Sequence, residues 1–337
     1  MAHSLSYRAP AWMPGGHMQT IWPALFSKAG DKEALRFERQ RLSAPDGDFV
    51  DADWLRAQDA AAAAGSRPLL LLFHGLEGSS RSHYALAFAR YAQQRHWDYV
   101  VPHFRGCSGE LNRAPRAYHS GDFEEVGWIL SQLTQGHAGP VYAVGVSLGG
   151  NALLRWSQEA GEGAAGNVAA VVAISAPLDL AVSGAQIDKG LNRQIYVRNF
   201  LSTMQPRARQ KHAQYPGLFD MQAVSRARSL YEFDDAFTAP LHGFRNASDY
   251  YSRASSLPAM HRIRIPALVI NALNDPFVPP AALPRPTQVP AHVQLFQPMT
   301  GGHVGFAAGR IPGHVHALPE MVGHWLAPSE GIGRQHG

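Results

Sequence analysis

The stretch Val141-Tyr142-Ala143-Val144-Gly145-Val146-Ser147-Leu148-Gly149-Gly150 carries the reading of this chain. Residues 141–146 are an apolar run with the composition of a buried strand, and residues 148–160 read as a helix. Between them Ser147 sits in a Gly-x-Ser-x-Gly turn, where flanking glycines let the backbone pack tightly and the hydroxyl project outward. Ser147 then stands at the N-terminus of the following helix, where free N–H groups favour developing negative charge. Strand before and helix after are the context in which such a serine acts as a nucleophile.

Similar apolar runs lie on both sides of this turn: 68–73 (PLLLLF), 99–102 (YVVP), 168–174 (VAAVVAI), 267–271 (ALVIN) and 293–296 (VQLF). Near-continuous apolar runs suit parallel strands buried on both faces. Helical segments are expected at 82–94, 123–133 and 315–326, so that strand and helix alternate as βαβ units. Segments 36–42 and 49–55 alternate in polarity and read as antiparallel strands at one edge. The expected architecture is one α/β domain spanning 1–337, with a mostly parallel central sheet. The alternation breaks over 181–257, which is polar, aromatic and Arg-rich with helical patches at 192–204 and 221–231. Such an excursion before the last two strands reads as a helical cap over the strand ends. The Gly-rich tail 328–337 reads as disordered, and Ala60–Ala64 as part of an exposed turn.

A serine hydroxyl needs a base to take its proton. In this fold the triad runs Ser, then Asp or Glu, then His, which directs attention to loops after the last two strands. His303, in Thr300-Gly301-Gly302-His303-Val304-Gly305-Phe306, follows the final strand and is the candidate base. Asp275, in Asn271-Ala272-Leu273-Asn274-Asp275-Pro276, is held in an extended loop by the proline after it and is the candidate acid. Asp179 is the alternative acid, although it could equally cap the start of the excursion. For the oxyanion, the candidate donors are the backbone N–H groups of Leu148 and of Leu76, in His74-Gly75-Leu76-Glu77-Gly78. His74 reads as a structural residue that fixes this loop.

Two clusters have no assigned chemistry. In His103-Phe104-Arg105-Gly106-Cys107-Ser108-Gly109-Glu110, Arg105 is expected to brace neighbouring loops. Tyr118-His119-Ser120-Gly121-Asp122 reads as a helix start capped by Asp122 or Ser120, or as a stretch facing a pocket.

Composition narrows the class. At 45% hydrophobic and 17% charged residues the chain can bury a large core. The net charge of +4 comes from scattered arginines, so no nucleic-acid partner is expected. One cysteine precludes an intrachain disulfide and suits a reducing compartment. No apolar run approaches the ~20 residues of a transmembrane helix. The first 26 residues lack the pattern of a secretory signal, so a cytoplasmic location is expected. Despite 17 histidines there is no HExxH or paired-Cys spacing, and His314-x-His316 is a surface spacing; no metal is expected. No phosphate-cradling or dinucleotide loop occurs, and no cofactor is expected.

The chain resembles the YheT family of α/β-hydrolases, which includes eukaryotic abhydrolase-domain lipases and yeast medium-chain acyltransferase/esterases. The likeness rests on Gly16-His17-Met18-Gln19-Thr20-Ile21-Trp22-Pro23, the His74–Gly78 loop, the Phe104–Gly109 turn, Tyr118-His119-Ser120-Gly121, the serine turn and the Asp275 and His303 loops. It implies a carboxylic-ester hydrolase acting on small acyl esters of short to medium chain, with Ser147, Asp275 and His303 as triad and no cofactor. The same triad would also serve an acyltransferase, and a receptor that keeps the fold without catalysis is the reading from another class.

Overall fold

In the computed structural model, which describes residues 5–27, 35–57 and 66–328, eight strands make a single sheet. In chain order they are β1 (Glu38–Ser43), β2 (Phe49–Leu55), β3 (Leu69–Phe73), β4 (Asp98–Pro102), β5 (Val141–Val146), β6 (Ala170–Ile174), β7 (Ala267–Ile270) and β8 (Val293–Phe296). Their spatial order is β1-β2-β4-β3-β5-β6-β7-β8. From β4 to β8 every pairing is parallel, and β1 and β2 add an antiparallel edge. The expected strands are all present. Their ends differ from the expected runs by one or two residues: β1 starts at Glu38, β3 at Leu69, and β6 at Ala170, where Val168 N–H closes a preceding turn on Ala164 instead of joining the sheet.

The leucine-rich composition of β3 follows from its position. Leu69, Leu71 and Phe73 pack on one face, against Val126 and Ile129 of α3 (Phe123–Thr134) and Leu153 of α4 (Leu148–Ala160). Leu70 and Leu72 pack on the other, against Phe88 of α2 (His83–Gln94) and Val322 of the C-terminal helix (Ala317–Leu326). Successive side chains thus bury into two cores. Before the sheet lies α1 (Gly15–Leu25).

Between β6 and β7 the chain leaves the sheet for α5 (Leu180–Ile187), α6 (Arg198–Gln214), α7 (Met221–Arg226) and α8 (Ala247–Ala254), with short helical turns between them. The helix expected over 192–204 continues to Gln214 through Pro206, overrunning a residue that ordinarily breaks a helix. The one expected over 221–231 is instead split. Ser229 accepts the Glu232 N–H and Glu232 accepts the Arg228 N–H, a reciprocal cap that starts a new turn at Leu230. Phe219, Phe233 and Phe237 of this insertion cluster with Phe277 and Val278 from the loop after β7.

Among the described residues no helix is long and apolar enough to cross a membrane. The Ala60–Ala64 turn and residues 329–337 of the expected tail lie outside the described residues.

Candidate active site

Ser147 sits between β5 and α4 at φ 53°, ψ −120°, a left-handed conformation unusual for a non-glycine residue. The turn is possible because its neighbours are glycines: a Cβ on Gly145 would lie 2.4 Å from the Gly149 carbonyl oxygen, and one on Gly149 would lie 2.5 Å from that of His74.

His303 Nε2 lies 2.9 Å from Ser147 Oγ, and His303 Nδ1 lies 2.8 Å from Asp275 Oδ2. A carboxylate only accepts, so Nδ1 carries the ring proton and Nε2 is left to accept from the serine hydroxyl. Asp275 is itself fixed: its other oxygen accepts the N–H groups of Phe277 at 2.8 Å and Val278 at 3.3 Å. The Phe277 ring lies 4.2 Å from the imidazole and shields it. The sequence-derived candidates Ser147, His303 and Asp275 thus form one hydrogen-bonded chain. Asp179, the alternative acid, caps α5 instead by accepting the Val182 N–H.

Leu76 and Leu148 border the same cavity as Ser147 and His303. Their loops touch, since a Cβ on Gly75 would stand only 3.2 Å from Ser147 Cβ. His74 holds the Leu76 loop from beneath. Its Nε2 accepts the Phe104 N–H at 3.0 Å, which leaves Nδ1–H to donate to the Gly75 carbonyl at 2.8 Å. Full burial pushes this imidazole down to about 3, which keeps it neutral.

Arg105 is buried and braces loops, as its many donors allow: it pairs with Asp46, Asp48 and Glu125 at 2.5–2.9 Å. Burial pushes the Cys107 thiol up to about 11, so it is not a thiolate at neutral pH. Asp122 occupies the N-cap position of α3, but its side chain pairs with Arg116 instead of capping; Tyr118, His119 and Ser120 face the cavity.

Three features escaped the sequence reading. Glu77, at φ 58°, accepts from Tyr118 and from Arg207 of α6, both at 2.9 Å. Ser175 Oγ accepts the Val304 N–H. Helix α1 sits against the loops of Asp275 and His303, where Thr20 Oγ1 accepts the His303 N–H at 2.9 Å. The Gly16–Pro23 motif was its signal, but no local pattern tells what a helix so far from those loops in sequence will touch.

The cavity walls come from both sheet and insertion. Leu180, Ile187, Phe233 and Phe237 give it an apolar arm beside Ser147, with Asp234 and Tyr251 also lining it.

Residues 68–309 match a protein family described as having the alpha/beta hydrolase fold. YheT of Escherichia coli (strain K12), which carries an esterase's name, is 41% identical over 92% of this chain and 89% of its own. Phospholipase ABHD3 of Homo sapiens is 27% identical over 91% of this chain and 75% of its own. The esterase Pf2001 of Pyrococcus furiosus superposes with a TM-score of 0.54, covering 90% of this chain and 97% of that one at 16% identity, a likeness of fold alone. With its parallel sheet, its serine turn and these relatives, the chain belongs to the α/β-hydrolase family, in the group that includes YheT.

Proposed function

We propose that this protein is a serine carboxylic-ester hydrolase for short- to medium-chain acyl esters, with residues 181–257 as its cap. The observation that carries the reading is the chain Ser147 Oγ–His303 Nε2 and His303 Nδ1–Asp275 Oδ2, at 2.9 and 2.8 Å, opening on a largely apolar cavity. In this reading His303 takes the Ser147 proton as the oxygen attacks the ester carbonyl. Asp275 holds the tautomer and stabilises the imidazolium. The oxyanion is received by the Leu76 and Leu148 N–H groups, each worth about 2.7–4 kcal/mol of barrier. His303 then protonates the departing alcohol, and water repeats the sequence to release the acid.

Phe233 and Phe237 from the cap, with Leu180 and Ile187, are the proposed acyl wall. The names of the relatives, esterase and phospholipase, agree with acyl esters as the substrate class.

The test is hydrolysis of p-nitrophenyl esters from acetate to decanoate by wild type and Ser147→Ala. The expected result is a loss of at least ~10³-fold in the variant, with wild-type kcat/KM rising beyond acetate. Undiminished turnover by Ser147→Ala would overturn the assignment.

A further inference from the structure

We infer that Gln19 and Thr20 of α1 are positioning residues that set the distance and angle between the loops carrying Asp275 and His303; the inference rests on the triad proposed above. Helix α1 lies outside the span 68–309 that matches the hydrolase family. It nevertheless supplies polar contacts, to Gly301 and His303, that hold the loop carrying His303.

One atom of α1 holds both loops. Gln19 Oε1 accepts the Gly301 N–H from the His303 loop and the Asn274 amide from the Asp275 loop, both at 2.9 Å. Asn274 closes the ring by accepting the Gly302 N–H at 3.1 Å. The Gln19 amide is itself anchored, donating to the Met13 carbonyl at 2.8 Å. One residue further, the Thr20 hydroxyl donates to the Gly16 carbonyl at 2.7 Å, which turns its lone pairs toward the His303 N–H. Gln19 is 3% and Thr20 9% exposed, so water does not readily replace either partner.

The steric fit is equally tight. A Cβ on Gly305 would fall 1.7 Å from the Gln19 carbonyl oxygen, one on Gly302 would fall 2.7 Å from the Gln19 carbonyl carbon, and one on Gly16 would fall 1.9 Å from the Asn274 carbonyl oxygen. Glycines on both sides thus let the backbones meet, and the side chains of Gln19 and Thr20 fix where they stop. A base loop displaced by a fraction of an ångström weakens both hydrogen bonds of the His303 ring, and small misplacements of reacting groups are costly in rate.

The experiment compares Thr20→Val, Thr20→Ser and Ser147→Ala on one p-nitrophenyl ester, with thermal melts alongside. Thr20→Val keeps the shape but removes the acceptor; kcat should fall about 10- to 100-fold, with KM within about twofold. Thr20→Ser keeps the hydroxyl and should recover most of kcat. The acidic limb of the pH profile of kcat/KM should shift in Thr20→Val and return in Thr20→Ser, which loss of folded protein alone would not produce. Wild-type kcat in Thr20→Val, or a loss that Thr20→Ser shares equally, overturns the inference. If Thr20→Val does not fold, Gln19→Met decides in its place: a comparable kcat loss supports the role, and wild-type kcat overturns it. Full activity in Thr20→Val beside an inert Ser147→Ala would sink only the positioning role, whereas an active Ser147→Ala would sink the triad beneath it.

Discussion

A methyl group placed on Gly75 would stand 3.2 Å from Ser147 Cβ and 3.4 Å from the Val146 carbonyl oxygen, so the loop bearing Leu76 and the serine turn are in direct contact. That contact is tighter than ordinary packing but short of a clash, and Gly75→Ala should be accommodated by a shift of a few tenths of an ångström. The shift moves Leu76 N–H relative to Ser147. We expect kcat to drop ~10-fold or more, toward the ~10²–10³ of a lost oxyanion donor, with KM and melting temperature little changed. Gly149→Ala is the contrast: its Cβ would meet two backbone oxygens at 2.5 and 2.6 Å, and it should lose stability instead. Steady-state kinetics and thermal melts on the two variants check this. Wild-type kcat in Gly75→Ala would remove Leu76 from the proposed donors.

The same loop is tied to the insertion through Glu77 and Arg207, 2.9 Å apart. The Glu77 side chain is 11% exposed and that of Arg207 38%, so losing the cation strands a mostly buried carboxylate. Arg207→Met should cost about 1 kcal/mol, below the ~1.5–3 of a fully buried charged hydrogen bond because Arg207 is partly solvated. Glu77 follows Leu76 directly, so kcat should also fall several-fold. Adding Glu77→Gln removes the stranded charge and should restore part of the stability. A double-mutant cycle by denaturant unfolding measures the coupling; strictly additive losses would show that the two residues do not hold each other.

The parallel sheet, the Ser147 turn and the loops of Asp275 and His303 were legible because each is a local pattern: an apolar run, a glycine-flanked serine, a polar residue just past a strand. Boundaries failed where local rules competed. Pro206 does not stop α6, and Ser229 with Glu232 interrupts a stretch that reads as one helix. What stayed hidden is contact between distant segments. Gln19 and Gly301 are 282 residues apart, and Arg207 and Glu77 are 130 apart. Their pairing depends on how α1 and the insertion fold back onto the strand ends, which neither composition nor periodicity encodes.

Asp234 should make the insertion sensitive to pH. It lines the cavity, half-buried, with Thr238 and Tyr251 donating to it and, among the described residues, no cation paired with it. Desolvation pushes its carboxyl up to about 6 from 3.8. Between those values the folded protein holds a proton that the unfolded chain has released, so this group's contribution falls as pH rises from about 4 to about 6. The loss is at most about 3 kcal/mol. Asp234→Asn cannot ionise, so its stability relative to wild type should grow across that window and level off above it. Urea unfolding at pH 4, 5, 6 and 7 reads the difference, and a constant offset between the two proteins would mean that Asp234 titrates normally.

His74 acts in the opposite direction. Its imidazole, pushed down to about 3 by complete burial, stays neutral in the fold while the unfolded chain takes up a proton near pH 6.5. The unfolded state therefore binds more protons between those values, and stability falls as pH drops through them. For this one group the expected loss between pH 7 and pH 5 is about 2 kcal/mol. Protonation would also end the ring's acceptance of the Phe104 N–H, the bond that holds the Leu76 loop against the Phe104 turn. Activity should therefore fail together with near-UV circular dichroism under acid, as one unfolding event. His74→Gln can keep an acceptor for Phe104 but cannot be protonated, so it should be less stable at pH 7 and show a shallower decline toward pH 5. If wild type and variant declined in parallel, the acid sensitivity would lie with other groups, among them His83, His119 and His242, whose imidazoles desolvation also pushes down.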